Sequence, residues 1–572
     1  MKKKYFFLCV IPLLIYNLSA FATRPVTILQ AFGWRWSDVA QECPYLGKIG
    51  VSAVIIDPVT EQVSYDAQPW WGIYQPVSYN LSNYYGTFAD LNAMVSSCHI
   101  QGVKVYVGVL IRHMAIYGKY HHNVGYNNSQ FELNHYPLYN DSAKSDNLAV
   151  LGQRNDRNPQ MKAQQKKTTV ADTTLYSEED FNHFKIKNRV IGDSFEFYYL
   201  DPAYKKNCGI TDADFQQNAW KVKNCDLVGL PTLNRDQPKV NDIARNFVVS
   251  LLDFGVDGFF IDAAKHLEIS DIKAVFGGLR TKRGEEPFLF FELPVVVTKT
   301  EQEPIDYQSY FKIGPITGHN FAGLMYSTFR HQANPNLNSL NYVPPDQWFK
   351  EASVSSRQRK IFLADIIKHG LDYYLLQMGS DNVLTMVSNH DTENLDVFKA
   401  VTAQQSLAIG NNNAYNLANA FMLAIPYGTP LVFSGYINPK NQFNPFPQTS
   451  VWVNKKNTCF APHSLWSCQQ RWPIIANMIS FRSKTHEANQ LCHVYAHGDQ
   501  VGFGRCDQSA KVHGYFFINN TDQAFKGNLI TGMTSGCYAD ILHNNNEICV
   551  DRNTTIRNLE VKPYDAIAFV KP

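Results

Sequence analysis

The chain lacks several things, and each lack removes a class of function. Its charges nearly cancel, with Lys+Arg 52 against Asp+Glu 50, so no global field draws in nucleic acid or an anionic membrane. No C-x-x-C pair occurs among the 11 cysteines, which leaves zinc and thiol redox chemistry without their usual spacing. No G-x-G-x-x-G follows the first apolar run, so an open doubly wound sheet binding a dinucleotide has no fingerprint here. After the N-terminus, no hydrophobic run reaches the about 20 residues that span a bilayer.

What is present starts with an export signal. Lys2, Lys3 and Lys4 precede an apolar stretch from Tyr5 to Tyr16 and then Ala20-Phe21-Ala22. That basic, apolar, small-x-small order describes a cleavable secretory signal over residues 1–22. The stretch is short for the alternative, a membrane anchor. A secreted protein, extracellular or periplasmic, is expected. Losing Cys9 with the signal leaves Cys43, Cys98, Cys208, Cys225, Cys459, Cys468, Cys492, Cys506, Cys537 and Cys549, an even set that suits an oxidising compartment. The simplest connectivity for the last eight is local (208–225, 459–468, 492–506, 537–549), leaving Cys43 for Cys98. Sequence alone leaves other connectivities open.

Short β-rich apolar runs recur, each followed by a helical pattern: Val26–Gln30, Ser52–Ile56, Val103–Ile111, Gly258–Asp262, Phe288–Glu292, Val383–Val387 and Pro430–Phe433, with Pro315–His319 a weaker one. Buried parallel strands read as unbroken apolar runs, and their alternation with helices predicts an α/β fold, a (β/α)8 TIM barrel. The expected division is barrel over 23–113, an inserted domain B over 114–235 after strand 3, barrel again over 236–482, and a C-terminal all-β antiparallel sandwich over 483–572. That last region shows short alternating strands with Gly and Asn turns. The polar segment Gln153–Thr174 reads as a solvated surface loop.

Catalytic groups of such barrels sit at the C-terminal ends of strands. The fourth strand ends at Asp262 and the fifth at Glu292, while the seventh runs into His390-Asp391. A single carboxylate ending an apolar run is usually a helix cap or a satisfied polar group. Three on neighbouring strand ends point to a carboxylate active site.

At these residues the sequence resembles the animal-type branch of the α-amylase family of glycoside hydrolases. The resemblance extends through Ile28-Leu29-Gln30-Ala31-Phe32, Trp34-Arg35-Trp36, Trp70-Trp71-Gly72-Ile73-Tyr74-Gln75-Pro76, Cys225-Asp226-Leu227-Val228-Gly229-Leu230 and Arg471-Trp472. It implies Asp262 as nucleophile, Glu292 as general acid/base, and Asp391 as the carboxylate that holds sugar hydroxyls. It also implies Trp70, Trp71, Tyr74, Gln75, His113, Lys265, His266 and His390 as substrate-binding residues. The implied activity is endo-hydrolysis of α-1,4-glucosidic bonds in starch or glycogen. The alternatives are a glucan-binding protein of impaired catalysis and a transglycosidase. The expected partner is an α-glucan, with no nucleic acid and no membrane, and the chain is expected to be a monomer.

The sequence also departs from that pattern. The family places Arg two residues before the nucleophile, where this chain has Phe260, and Asp where it has Gly108. Phe260 is expected to fill the volume Gly108 vacates. The missing cation would make Asp262 harder to ionise. Calcium ligands of the family fall on Arg112 and Thr232, and its chloride-binding arginines on Phe260 and Leu431, with Asn389 retained. No cofactor is therefore expected, and Arg112 is expected to stand in for the metal cation.

Overall fold

A computed structural model describes residues 24–65, 69–117, 122–138, 158–168, 174–182, 209–294, 305–330, 361–375, 378–391, 414–436 and 446–571. The expected signal segment and Cys208 lie outside the described residues, as do 153–157 and 169–173. Residues 158–168 correct the solvated-loop expectation: a helix over Pro159–Ala163 buries Met161, and Lys166 exchanges hydrogen bonds with Asn246 at 2.9 Å. Eight parallel strands form a closed barrel: β1 (Ile28–Ala31), β2 (Ala53–Ile56), β3 (Lys104–Val109), β4 (Gly258–Ile261), β5 (Phe288–Phe291), β6 (Ile316–Gly318), β7 (Val383–Met386) and β8 (Thr429–Ser434). Each strand pairs with its successor in the chain, and β8 closes on β1 through Gln30 opposite Phe433.

The strands are nearly all buried because helices cover them outside and side chains fill them inside. Helix α1 (Trp36–Ile49) and helix α2 (Phe88–Ile100) flank the first turn of the barrel, joined by the Cys43–Cys98 disulfide. Thr87 starts α2 with a capping box, its hydroxyl accepting from Asp90 N at 3.3 Å while Asp90 Oδ2 accepts from Thr87 N at 2.8 Å. Helix α3 (Pro238–Phe254) opens on a proline and stops at Gly255, whose φ of 101° favours glycine.

The chain between β3 and α3 is the insertion, and Glu61 ties it to the barrel. This fully buried carboxylate accepts from Ser78 Oγ at 2.6 Å, Ser129 Oγ at 2.8 Å and Asn127 N at 2.8 Å.

After helix α4 (Pro473–Lys484) the pattern changes to antiparallel sheets. Strands β9 (Gln490–His497), β10 (Gln500–Cys506), β11 (Val512–Asn519) and β16 (Asp565–Val570) make one four-stranded sheet. Two pairs stand beside it: β12 (Phe525–Ile530) with β15 (Thr555–Val561), and β13 (Gly536–Asp540) with β14 (Asn546–Val550). Tyr515, Phe517, Phe525, Tyr538 and Phe569 share a core of their own, separate from the barrel core. Disulfides join Cys459–Cys468, Cys492–Cys506 and Cys537–Cys549. Among the described residues no helix is long and apolar enough to cross a membrane.

Candidate active site

Strand polarity puts the ends of β4, β5 and β7 at one mouth of the barrel, and this brings Asp262, Glu292 and His390-Asp391 together. Oxygens of Asp262 and Glu292 and a ring nitrogen of His390 all lie within 4.8 Å of one another. Glu292 Oε2 accepts from the backbone N–H of Ala263 at 2.9 Å, so the residue after Asp262 fixes the second carboxylate. Ala263 takes the left-handed conformation (φ 50°) to turn that N–H back across the mouth. Such a backbone is strained for a residue with a Cβ, and here the strain coincides with the reacting groups.

Burial raises all three carboxyls, since a charge loses its water there. Glu292 is pushed up to about 7, first by burial and next by the charge of Asp391, with His390 opposing. Asp262 is raised well above the usual carboxylate range by burial and then by Glu292 and Asp391. Asp391 is raised by burial too. With oxygens within 4.8 Å, the two carboxyls repel when both are ionised, and each raises the proton affinity of the site. The geometry therefore holds one carboxylic acid beside one carboxylate near neutrality.

An aromatic wall backs this pair. The Tyr74 ring stacks on His390 with centroids 5.1 Å apart and planes at 20°, and Trp70 meets His390 edge-on at 6.2 Å. Gln30 Nε2 donates to His390 Nδ1 at 3.0 Å, so the neutral ring carries its proton on Nε2, which faces Asp391 Oδ1 at 3.6 Å. Burial pushes the His390 imidazole down to about 4, keeping it neutral. The Tyr74 phenol is raised well above its ordinary value by burial and by Asp57, Asp262, Asp391 and Glu292, so it stays a donor.

The other expected binding residues sit one layer back. His113 Nε2 meets the Tyr74 carbonyl at 3.0 Å, and burial pushes its imidazole down to about 4. Gln75 Oε1 accepts from Ile116 N at 3.2 Å and from Tyr65 at 3.4 Å, holding the segment after His113. His266 Nδ1 donates to the Val222 carbonyl at 2.6 Å. Lys265 Nζ lies 5.5 Å from the Phe215 ring centroid. Trp71 is half-buried and packs edge-on against Tyr65 at 5.2 Å.

Three polar groups at the mouth were missed in the sequence. Asp57 follows β2, accepts from Gly33 N at 2.7 Å and is pushed up to about 7 by burial. His319 follows β6 and is pushed down to about 4 by burial, with Glu292 opposing. Both obey the strand-end rule that picked out Asp262, and applying it to every strand finds them. Gln30 lies inside β1, with no signal to separate it from a structural glutamine.

One packing expectation is corrected. Phe260 does not fill the space beside Gly108, although the two are register partners on β4 and β3. A Cβ at Gly108 would lie 3.1 Å from Pro58 Cδ and 3.2 Å from Pro58 N, so the loop after β2 takes that room. Phe260 turns into the barrel interior, stacking on Phe290 at 5.2 Å within an apolar cluster that includes Leu384, Met386 and Leu431. An apolar interior at both Phe260 and Leu431 does not fit a chloride ion.

A closed parallel barrel with a carboxylate pair and an aromatic wall at its C-terminal mouth defines a class, the barrel enzymes with strand-end active sites. Comparison with known proteins narrows it. The family model described as Alpha amylase, catalytic domain, matches residues 35–275. An α-amylase of Hypothenemus hampei is 27% identical over 551 residues, 94% of this chain and 90% of that protein. The pancreatic α-amylase of Sus scrofa is 28% identical over 541 residues, 90% of this chain and 86% of that protein. The crystal structure of α-amylase I from Eisenia fetida superposes with a TM-score of 0.67 at 21% identity, covering 97% of this chain and 99% of that one. The chain is similar to these α-amylases over most of its length and shares their fold.

Proposed function

We propose that the chain is a secreted α-amylase-type glycoside hydrolase, cutting α-1,4-glucosidic bonds inside starch or glycogen with retention of configuration. The observation that carries this reading is the approach of Asp262 and Glu292, whose oxygens lie within 4.8 Å. Retaining carboxyl pairs stand about 5–5.5 Å apart, and inverting pairs about 6.5–9.5 Å apart to admit a water. The animal α-amylases that match most of the chain's length add to it. For the export, the four disulfides found among the described residues and the N-terminal sequence are the support.

In the proposed reaction Asp262 attacks the anomeric carbon as the glycosidic C–O bond breaks, and Glu292 gives its proton to the departing oxygen. Water then attacks the glycosyl–Asp262 ester, losing its proton to Glu292, and the ester oxygen leaves as the Asp262 carboxylate. Asp391 holds sugar hydroxyls, and its charge raises Glu292 and keeps it protonated. Tyr74 and Trp70 offer flat apolar faces to a pyranose ring, with His390 donating from Nε2. The division into barrel, insertion over 114–235 and C-terminal region from 483 is taken as the domain organisation.

One observation favours a second reading. Phe260 brings no cation toward Asp262, and burial raises that carboxyl, which suits a glucan-binding protein of weak turnover. Purified oxidised protein incubated with a defined maltooligosaccharide separates the readings. Shorter chains released initially as the α-anomer are expected. Longer products as well would make it a transglycosidase, and binding without any product would make it a glucan-binding module.

A further inference from the structure

Arg112 follows β3 and is 1% exposed. A buried guanidinium ordinarily needs a carboxylate in contact, yet among the described residues its hydrogen bonds go to uncharged oxygens. Nε donates to the His266 carbonyl at 3.3 Å, Nη1 to Thr232 Oγ1 at 3.0 Å, and Nη2 to the Cys225 carbonyl. Thr232 Oγ1 donates onward to that same Cys225 carbonyl at 3.2 Å. Asp226 supplies a favourable charge nearby, and its Oδ1 accepts from Thr232 N at 3.1 Å. Burial lowers the guanidinium to about 10, still charged at neutral pH.

Those oxygens come from different parts of the chain. Cys225 and Thr232 belong to the return of the insertion, and His266 to the turn after Asp262. A set of carbonyl and hydroxyl oxygens gathered round one positive charge is what a hard metal cation would also organise. A calcium ion does not fit: the centre is filled by a fixed cation, and a hydroxyl stands at Thr232 where a carboxylate would be needed. The chain uses the same device elsewhere. Arg505, also 1% exposed, donates to the carbonyls of Ala488 at 2.7 Å, Ala424 at 2.9 Å and Thr485 at 3.0 Å, joining the C-terminal sheets to the barrel helices.

We propose that Arg112 is a built-in cation that takes the place of a metal ion between barrel and insertion, and so positions the His266 turn beside Asp262. It is a positioning residue. Backbone bonds already lace the near side, Leu233 N to Arg112 O at 2.9 Å and Met114 N to Pro231 O at 3.2 Å. The guanidinium adds a link to the His266 carbonyl, beside the bond from His266 Nδ1 to the Val222 carbonyl of the insertion.

The test uses the full oxidised chain and two readouts, so that only the turnover arm rests on the proposed hydrolase activity. Neither calcium nor a chelator is expected to move the Tm of the wild type. Any ligand that binds only the folded state must raise Tm, so a calcium-dependent rise there overturns the proposal. The double variant Arg112→Asn plus Thr232→Asp restores oxygen ligands and is expected to gain a Tm that climbs with calcium. A folded double variant indifferent to calcium counts against the site. If that variant does not fold, Arg112→Lys serves instead: one ammonium cannot fork to three oxygens, so a lower Tm is expected, and an unchanged one overturns the tether. For positioning, Arg112→Ala is assayed well below its own Tm, where turnover is expected to fall about tenfold to a hundredfold and to recover with added methylguanidine. Unchanged turnover in that folded variant would leave Arg112 structural only and overturn the positioning role. No turnover in the wild type would fail the hydrolase reading alone, leaving the calcium result to stand.

Discussion

The barrel mouth and the C-terminal sheets treat charge in opposite ways. At the mouth Asp57, Asp262, Glu292 and Asp391 crowd together, all raised by burial. Of the cations near the mouth, Lys265 lies 5.5 Å from the Phe215 ring centroid and Arg112 donates to the His266 carbonyl and the Thr232 hydroxyl. The histidines around them are held neutral, with His113, His319 and His390 pushed down to about 4. In the C-terminal sheets charges meet opposite charges near solvent. His513 lies 2.7 Å from Asp507, Arg557 2.8 Å from Asp551, and His543 between Asp540 and Asp565. Like charge gathered out of water costs stability, and chemistry is the usual reason to keep it.

The sharpest way to break this comparison is to remove charge from the mouth. Asp262→Asn and Glu292→Gln are each expected to lower kcat on starch by about four orders of magnitude or more, the scale seen when a unit of joint catalytic groups loses a member. Near-normal hydrolysis by either variant removes that residue from the role assigned. In the wild type, Glu292 must be protonated to act as the acid, so the pH–rate profile is expected to fall as pH rises through about 7.

Supplying a cation at the mouth comes next. Phe260→Arg places a guanidinium in the cluster of Phe290, Leu384, Met386 and Leu431 and is expected to destabilise the barrel by about 3 kcal/mol or more. Adding Gly108→Asp gives a partner but drives a side chain against Pro58, where even a Cβ sits at 3.1 Å. Rescue by the second substitution is therefore expected to be partial in thermal melts. A double variant as stable as wild type would show that Pro58 yields.

Why Gly108 was misread marks the limit of the sequence. Apolar runs placed all eight strands because a buried parallel strand has no polar face to confuse the pattern. Strand ends then gave the three carboxylates. The occupant of the space beside Gly108 is Pro58, which belongs to another strand's loop and has no periodic relation to it. The same holds for Gln30, joined to His390 across 360 positions. That Arg112 stands in for a cation is suggested by the resemblance alone, whereas its partners at His266, Thr232 and Cys225 depend on how the insertion folds back. Disulfides were legible where partners are local, as in Cys459–Cys468 with a separation of 9.

A smaller effect follows from the same charges, read as stability. Glu292 has a folded value of about 7 against an ordinary 4.5. The folded chain thus holds a proton that the unfolded chain gives up, and stability falls as pH rises from about 4.5 to about 7. Glu292→Gln removes this liability. The variant is expected to match wild type near pH 4.5 and to be more stable by about 1–2 kcal/mol above pH 7, allowing for partial exposure. Equal melting temperatures at both pH values would mean that Glu292 is not strained by its surroundings.

The smallest expected effect belongs to the C-terminal sheets and has another pH signature. His543 Nδ1 lies 2.7 Å from Asp540 Oδ2, and Nε2 lies 3.1 Å from both oxygens of Asp565. Both ring nitrogens must donate to satisfy both carboxylates, so the imidazolium is the bound form. The hydrogen bonds to Asp540 and then Asp565 push it up to about 10. With the folded value above the unfolded 6.5, the stabilisation is full below about pH 6.5 and is lost as pH rises through about 10. The side chain is 36% exposed, so solvent screening holds the contribution to about 1 kcal/mol or less. His543→Gln is expected to melt below wild type at pH 6, with the gap shrinking above pH 6.5 and closing near pH 10. The mouth loses stability between about pH 4.5 and 7, and this trio between about pH 6.5 and 10. A His543→Gln gap that does not change with pH would mean the histidine contributes by packing, and that the C-terminal charges are not the paired set that separates them from the mouth.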